Sequence, residues 1–217
     1  VNIQVVASTV IKDPRPLPLS EAQDIDFLAE YGGRACYQSW HRPNPATREN
    51  DAYLDHILEE GHLSVMEHGS VTFYVTGISR SLTHELIRHR HLSYSQLSQR
   101  FVNEDSAEVV VPPILSGDQE AIEWLDAHMD ASKALYAKLA DRLISKGATR
   151  KEAREAARAV LPNMTETRIV VTGNIRAWRE VISKRNAPGA DAEIQEFASQ
   201  ILSHLKELAP HSVQDLS

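Results

Sequence analysis

Apolar and polar positions along the chain follow two rhythms, and the switches between them mark the expected elements. VNIQVVAST, residues 1–9, is apolar and β-branched enough for a strand, which Pro14, Pro16 and Pro18 break into a loop. Ser20 is placed to cap a helix through Ile25, Leu28 and Tyr31, stopped by Gly32 and Gly33. Thr47 starts the next helix, whose Tyr53, Leu54, Ile57 and Leu58 have helical spacing and which Gly61 ends. SVTFYVTG, residues 70–77, alternates as a strand does. Beyond it, Ile78, Leu82 and Leu86 share one face of a helix that delivers the tripeptide Arg88-His89-Arg90 at its end.

The second half is more helical. EVVVPP, from Glu108, predicts a short strand or extended segment closed by two prolines. A long helix follows, with Ile122, Leu125, Met129, Leu135, Leu139 and Leu143 on one side and Gly147 past its end. Thr149 and Glu152 form a capping box for an alanine-rich helix that stops before Pro162. TRIVVTG predicts a strand, and Asn174 caps the helix NIRAWREVISKR. Asp191 caps a last helix, with Ile194, Phe197, Ile201, Leu202, Leu205 and Leu208 on one stripe. The tail after Pro210 carries no pattern. Without repeats, low-complexity tracts or linkers, the order predicts one α+β domain over residues 1–217, with a small mixed or antiparallel sheet and several long helices.

Composition narrows the function. A chain of 217 residues, 42% hydrophobic and 24% charged, can bury a full core and has the make-up of a globular protein. No apolar run approaches the roughly 20 residues that span a bilayer, and the first residues lack the layout of a secretory signal. The expectation is a cytoplasmic protein. A net charge of −7 opposes broad adhesion to nucleic acid or acidic membranes, so any anion site must be local. The one cysteine, Cys36, permits no disulfide framework within the chain, and reads as a small buried hydrophobe before a nucleophile. Trp40, Trp124 and Trp178 read as core or interface residues.

Against this acidic background, residues 88–100, RHRHLSYSQLSQR, hold three arginines, two histidines, three serines, two glutamines and no acid. HELIRH, at 84–89, is not a zinc-protease helix, because His84 and His89 are five apart rather than four and Arg88 would oppose a cation. No GxxxxGK or GxGxxG occurs, so phosphate must be held by side chains. Arg88, Arg90 and Arg100 offer planar forks that match phosphate oxygens, and Ser98 can complete such a pocket. A solvated basic face is the plain alternative, although Ser and Gln stand where such a face would carry Glu or Lys.

Arg88-His89-Arg90, seven residues, then Ser98 resembles the signature of the flavin-dependent thymidylate synthase family. The resemblance continues in GHLSVMEH at 61–68, ARAVLP at 157–162, and TGNIRAW followed by Arg185, four ordered blocks from about residue 60 to about 190. It implies reductive methylation of dUMP to dTMP, with methylenetetrahydrofolate as carbon donor, FAD as cofactor and NADPH as its reductant. It further implies that Glu85, Leu86, Ile87, Arg88, Gln96, Leu97, Ser98, Gln99, Arg100 and Arg158 bind dUMP. Ser64, Arg88, His89, Arg90, Gln96, Asn174, Ile175, Arg176 and Glu180 would contact FAD, and Arg185 would polarise the uracil ring. A homotetramer with shared active sites is implied too, which would let a chain without a nucleotide-binding loop hold a dinucleotide.

Two positions depart from the family pattern. Gln96 stands where some members carry Glu, and Glu180 where members often place Asn or His near the flavin. His62 and His68 flank Ser64, with His62 read either as a flavin-placing or as a structural histidine. Three rival readings stand beside this one, of which a metal-dependent hydrolase is disfavoured by the histidine spacing given above. Another is an arginine-rich nucleic-acid binder, which the overall acidity disfavours; the third is a related flavoprotein that performs a different methylation.

Overall fold

The computed structural model describes residues 1–18 and 21–217, so the expected cap at Ser20 lies outside the described residues. The chain forms two compact units. The first comprises Val1–Asn2, Val75–Arg88 and Ser95–Ile169; the second comprises Ile3–Tyr74, His89–Tyr94 and Val170–Ser217. Among the described residues four strands, β1 (Asn2–Ser8), β2 (Ser70–Ser79), β3 (Ser93–Gln96) and β4 (Glu166–Asn174), pair in the order β1-β2-β4-β3. The chain directions oppose along these pairs, as antiparallel pairing requires: Thr72 bonds Thr172 and, further on, Gly77 N reaches the Glu166 side chain, while Leu97 N donates to Arg168 O and Leu92 packs at Gly173. The fold is therefore α+β with an antiparallel sheet.

In the second unit, helices α1 (Asp24–Tyr37), α2 (Asn50–Glu59), α6 (Ile175–Arg185) and α7 (Ala192–Leu208) surround the core. The stripe expected on α7 is real: Ile194, Phe197, Ile201 and Leu205 are all buried, and α7 packs on α6. Trp178 of α6 is fully buried, donates its indole N–H to Val71 O at 3.3 Å, and meets Phe73 edge-on at 5.1 Å. Such a ring pair adds about 0.5–1.5 kcal/mol beyond its area.

Gly32 and Gly33 do not stop α1, which runs through both to Tyr37. They serve close approach instead. A Cβ on Gly33 would overlap the Tyr53 hydroxyl, and one on Gly32 would sit 2.9 Å from His68 Cδ2. Gln38, at φ 50°, ends the helix in the left-handed conformation. Thr47 closes a short 3-10 turn rather than opening α2. The unread tail turns out to be an anchor: buried Asp26 accepts N–H bonds from His211 (2.8 Å) and Ser212 (2.9 Å), and Arg179 grips Asp215 with both terminal nitrogens. Beside it, burial would raise the Glu30 carboxyl, but donors from Arg42, Asn50 and Arg34 outweigh burial and hold it below its ordinary value.

In the first unit, α3 (Arg80–Leu86) is capped by Ser79 Oγ, which accepts from Leu82 N at 3.0 Å. Ile78, expected on this helix, belongs to β2. Helix α4 (Gln119–Ser145) packs on α5 (Arg150–Ala157), and the capping box of Thr149 with Glu152 is present. Glu108–Val111 runs beside the start of β4, with an antiparallel bridge between Val109 and Thr165 and Glu166 N donating to Glu108 O. Of the 27 residues of α4 only Met129, Ser132 and Tyr136 are buried, so most of the expected apolar stripe is not core within this chain. Trp124 is 66% exposed, while Cys36, expected inside, is exposed as well.

Candidate active site

The structure divides the expected residues between the two units. Glu85, Leu86, Ile87, Arg88, Gln96, Leu97, Ser98, Gln99, Arg100 and Arg158 belong to the first; Ser64, His89, Arg90, Asn174, Ile175, Arg176, Glu180 and Arg185 belong to the second.

In the first unit, α3 ends just before Arg88, whose N–H is held by Glu85 O at 3.2 Å. The Leu86 side chain is fully buried, so only its backbone is available to a ligand. Residues 97–102 form a tight turn in which Phe101 N and Val102 N both donate to Ser98 O. Gln96 at the end of β3 donates Nε2 to the hydroxyls of Thr83 (3.3 Å) and Thr167 (3.2 Å). Gln99 is only 6% exposed, and its Nε2 has no partner among the described residues. Arg100 leans to Glu155 at 3.7 Å and lies over the exposed Phe101 ring.

Sequence reasoning missed Arg80, the first residue of α3. It donates Nη2 to Leu97 O at 3.1 Å, while its buried Nε has no partner among the described residues. Burial pulls its pKa below the ordinary value; Glu104 opposes this, and the positive charge of Arg158 adds to it. Two guanidiniums near enough to repel, one with a buried donor unmet among the described residues, mark a candidate anion site. A signal was available: an arginine at a helix N-terminus sits against the dipole, where acids are favoured.

In the second unit, Asn174 Oδ1 caps α6 by accepting from Ala177 N at 2.8 Å. The apolar face of α6, with Ile175, Trp178, Val181 and Ile182, goes inward and leaves Arg176, Glu180 and Lys184 on the outer face. The Ile175 side chain is thus core, and only its backbone can meet a ligand. Asn174, Arg176, Ala177 and Glu180 line a cavity of about 300 Å³ together with Glu67 and His91. Arg176 pairs with Glu67 at 2.6 Å and Lys184 with Glu180 at 2.5 Å. The Lys184 bond holds the Glu180 carboxyl below its usual value, so it is an anion at neutral pH. Ser64 is exposed on the 3-10 turn Leu63–Glu67 and is not among the residues lining this cavity. Arg90 is also exposed.

At the far end of α6, Arg185 Nε donates to His89 Nε2 at 3.0 Å. His89 is 8% exposed; burial pushes its imidazole below the ordinary value and the Arg185 charge pushes it further. Tyr94 donates its hydroxyl to His89 O at 2.8 Å, and burial raises that phenol to about 12. Gly173 lets this segment sit close, since a Cβ there would overlap Leu92 Cδ2 and stand 3.1 Å from Trp178 Nε1.

A flavin dinucleotide can be tested against these groups. The α6 cavity, at the small end of ligand pockets, holds part of such a molecule and not the whole. Its donors, the Arg176 guanidinium and polar groups at a helix start, suit a polar, hydroxyl-bearing portion, since the Glu67 and Glu180 carboxylates on the same wall offset the positive charge. The residues present therefore fit a fragment of FAD.

An α+β chain that gathers arginine forks and side-chain amides, without a glycine-rich loop, has the make-up of a side-chain-built nucleotide binder. Its residues 19–211 match the family model described as thymidylate synthase complementing protein. It is 54% identical to the flavin-dependent thymidylate synthase of Mycobacterium avium (strain 104), over 96% of this chain and 87% of that protein. Identity to the protein of the same name from Mycobacteroides abscessus is 53% over the same shares. For the Mycolicibacterium gilvum protein, also a flavin-dependent thymidylate synthase, it is 52% over 99% of this chain and 89% of that one. The chain belongs to the flavin-dependent thymidylate synthase family.

Proposed function

We propose that residues 1–217 act as one catalytic domain that methylates dUMP to dTMP, with methylenetetrahydrofolate as carbon donor and NADPH as the ultimate reductant. FAD, when bound and reduced, supplies the hydride. The chain's own residues bind, orient and polarise.

Arg88, Arg100 and Arg158 hold the nucleotide anion together with Gln96, Leu97, Ser98 and Gln99, and with the backbone of Glu85, Leu86 and Ile87. Arg80 joins them. The observation that carries this assignment is the buried Gln99 Nε2, a donor without a partner among the described residues, in the same turn as Ser98 and Arg100. An orphaned buried donor costs about 1–3 kcal/mol, which a ligand acceptor removes. Ser64, His89, Arg90, Asn174, Arg176, Glu180 and the Ile175 backbone, with Arg88 and Gln96, hold FAD. Arg185 stabilises negative charge as it develops on the uracil ring, making the ring carbon nucleophilic without attack by a thiol; loss of such a donor costs roughly 100- to 1000-fold in turnover.

The active sites are completed by self-association into a homotetramer. The exposed apolar side chains of α4, with Trp124, Leu135 and Ile144 uncovered in the single chain, support this. No helix is long and apolar enough to cross a membrane among the described residues, and neither membrane nor nucleic acid enters this reading. We place the enzyme in the cytoplasm.

The test is release of tritium from dUMP labelled at the carbon to be methylated. Release is expected only with folate, NADPH and FAD all present. Absence of release in the complete mixture by flavin-loaded protein would overturn the assignment.

A further inference from the structure

We propose that His89 is a positioning residue for Arg185: its neutral imidazole accepts the Arg185 Nε–H and fixes the guanidinium plane, and protonation of His89 releases it. The inference rests on the role given to Arg185 above. It deepens that role by naming what holds the group and what lets it go.

The geometry is specific. Arg185 Nε, not a terminal nitrogen, makes the 3.0 Å bond, so the contact sets the orientation of the whole planar fork. Arginine has no acceptor, so Nε2 must be unprotonated and the ring proton must sit on Nδ1. The two residues are 96 positions apart, and each is anchored independently. His89 is held from its own side by the Tyr94 hydroxyl on its carbonyl, and by Leu92 seated against Gly173. Arg185 closes the last turn of α6, whose register is fixed by the Asn174 cap and by buried Trp178.

Among the described residues, the charged groups that act most on the imidazole come from α6. Arg185 and Lys184 oppose its protonation and Glu180 favours it, with Glu180 itself engaged by Lys184. Burial of the ring tips the balance toward the neutral form. Protonation would remove the acceptor and set two cations against each other at bonding distance. The result is an acid limb in turnover below about pH 6.5, the ordinary histidine value.

Three measurements test the pair. In flavin-free protein, the ring-nitrogen chemical shifts of His89 should report a proton on Nδ1 and none on Nε2. The His89 titration midpoint should rise in Arg185→Ala, or in Arg185→Leu should the first variant fold poorly. With the holoenzyme, the wild type should lose kcat progressively as pH falls below about 6.5, approaching tenfold per pH unit at the acid end of the limb. His89→Gln, which offers an acceptor that does not titrate, should show no such limb whatever its absolute rate. A protonated Nε2, a midpoint indifferent to Arg185, or an undiminished limb in His89→Gln overturns the proposal. Full turnover in Arg185→Ala would instead refute the catalytic role of Arg185, while the shifts would still report on the pairing.

Discussion

Replacing Gln99 by Met separates what the fold wants from what the ligand wants. Met nearly matches Gln in length and volume but carries no amide. In the free protein the Gln99 Nε2 is buried without a partner, at a cost of about 1–3 kcal/mol. Gln99→Met removes that cost, and the ligand-free chain should become more stable by about 1 kcal/mol after allowing for imperfect repacking. For a chain of this size that is a rise of roughly 2–4 °C in Tm. The same change deletes a donor to dUMP worth about 0.5–1.5 kcal/mol, so dUMP affinity should fall roughly 2- to 12-fold. Scanning calorimetry without ligand and titration calorimetry with dUMP measure the two effects. A lower Tm together with unchanged dUMP affinity would refute the reasoning, because the amide would then be satisfied by the fold and idle toward the nucleotide.

Other substitutions probe the supports of the site. Gly173→Ala puts a methyl into Leu92 and Trp178, and urea unfolding should show a loss of about 1–3 kcal/mol. Gln96→Glu replaces a donor by an acceptor where Thr83 Oγ1 already donates to Arg80 O at 2.8 Å, and should cost about 1–3 kcal/mol in the same assay. Tyr94 has a folded pKa of about 12, above its ordinary value of 10.0, so its contribution to stability is complete below pH 10 and lost as pH rises from there toward 12. The urea midpoint of wild type should therefore drop between pH 9.5 and 11.5 more than that of Tyr94→Phe.

Legibility in the sequence followed periodicity. Helix α7 and the α6 block were readable because their apolar residues repeat at helical spacing and bury together. Strand β3 was not, because SYSQ has no apolar face to declare it; it is held by pairing with β4 and by Gln96 reaching Thr83 and Thr167. Gly32 and Gly33 looked like a stop because glycine favours helix ends. Here its missing Cβ makes room for His68 and Tyr53, which only the folded chain reveals. The exposure of Cys36 likewise depends on which face of α1 is covered. At the candidate site, residue types singled out arginines and amides, but their pairings did not follow from them. That Arg185 rests on His89, that Arg80 reaches Leu97, and that Gln99 lacks a partner are consequences of tertiary placement.

The most direct test of the central claim is chromatographic measurement of dTMP formed by the purified yellow protein and by its Arg185→Ala variant. Each is to be supplied with dUMP, methylenetetrahydrofolate and NADPH. The wild type should make dTMP in proportion to time and enzyme. The variant should keep its flavin absorbance and lose roughly 100- to 1000-fold in rate. Flavin-loaded wild type that makes no dTMP, or a variant as fast as the wild type, would contradict it.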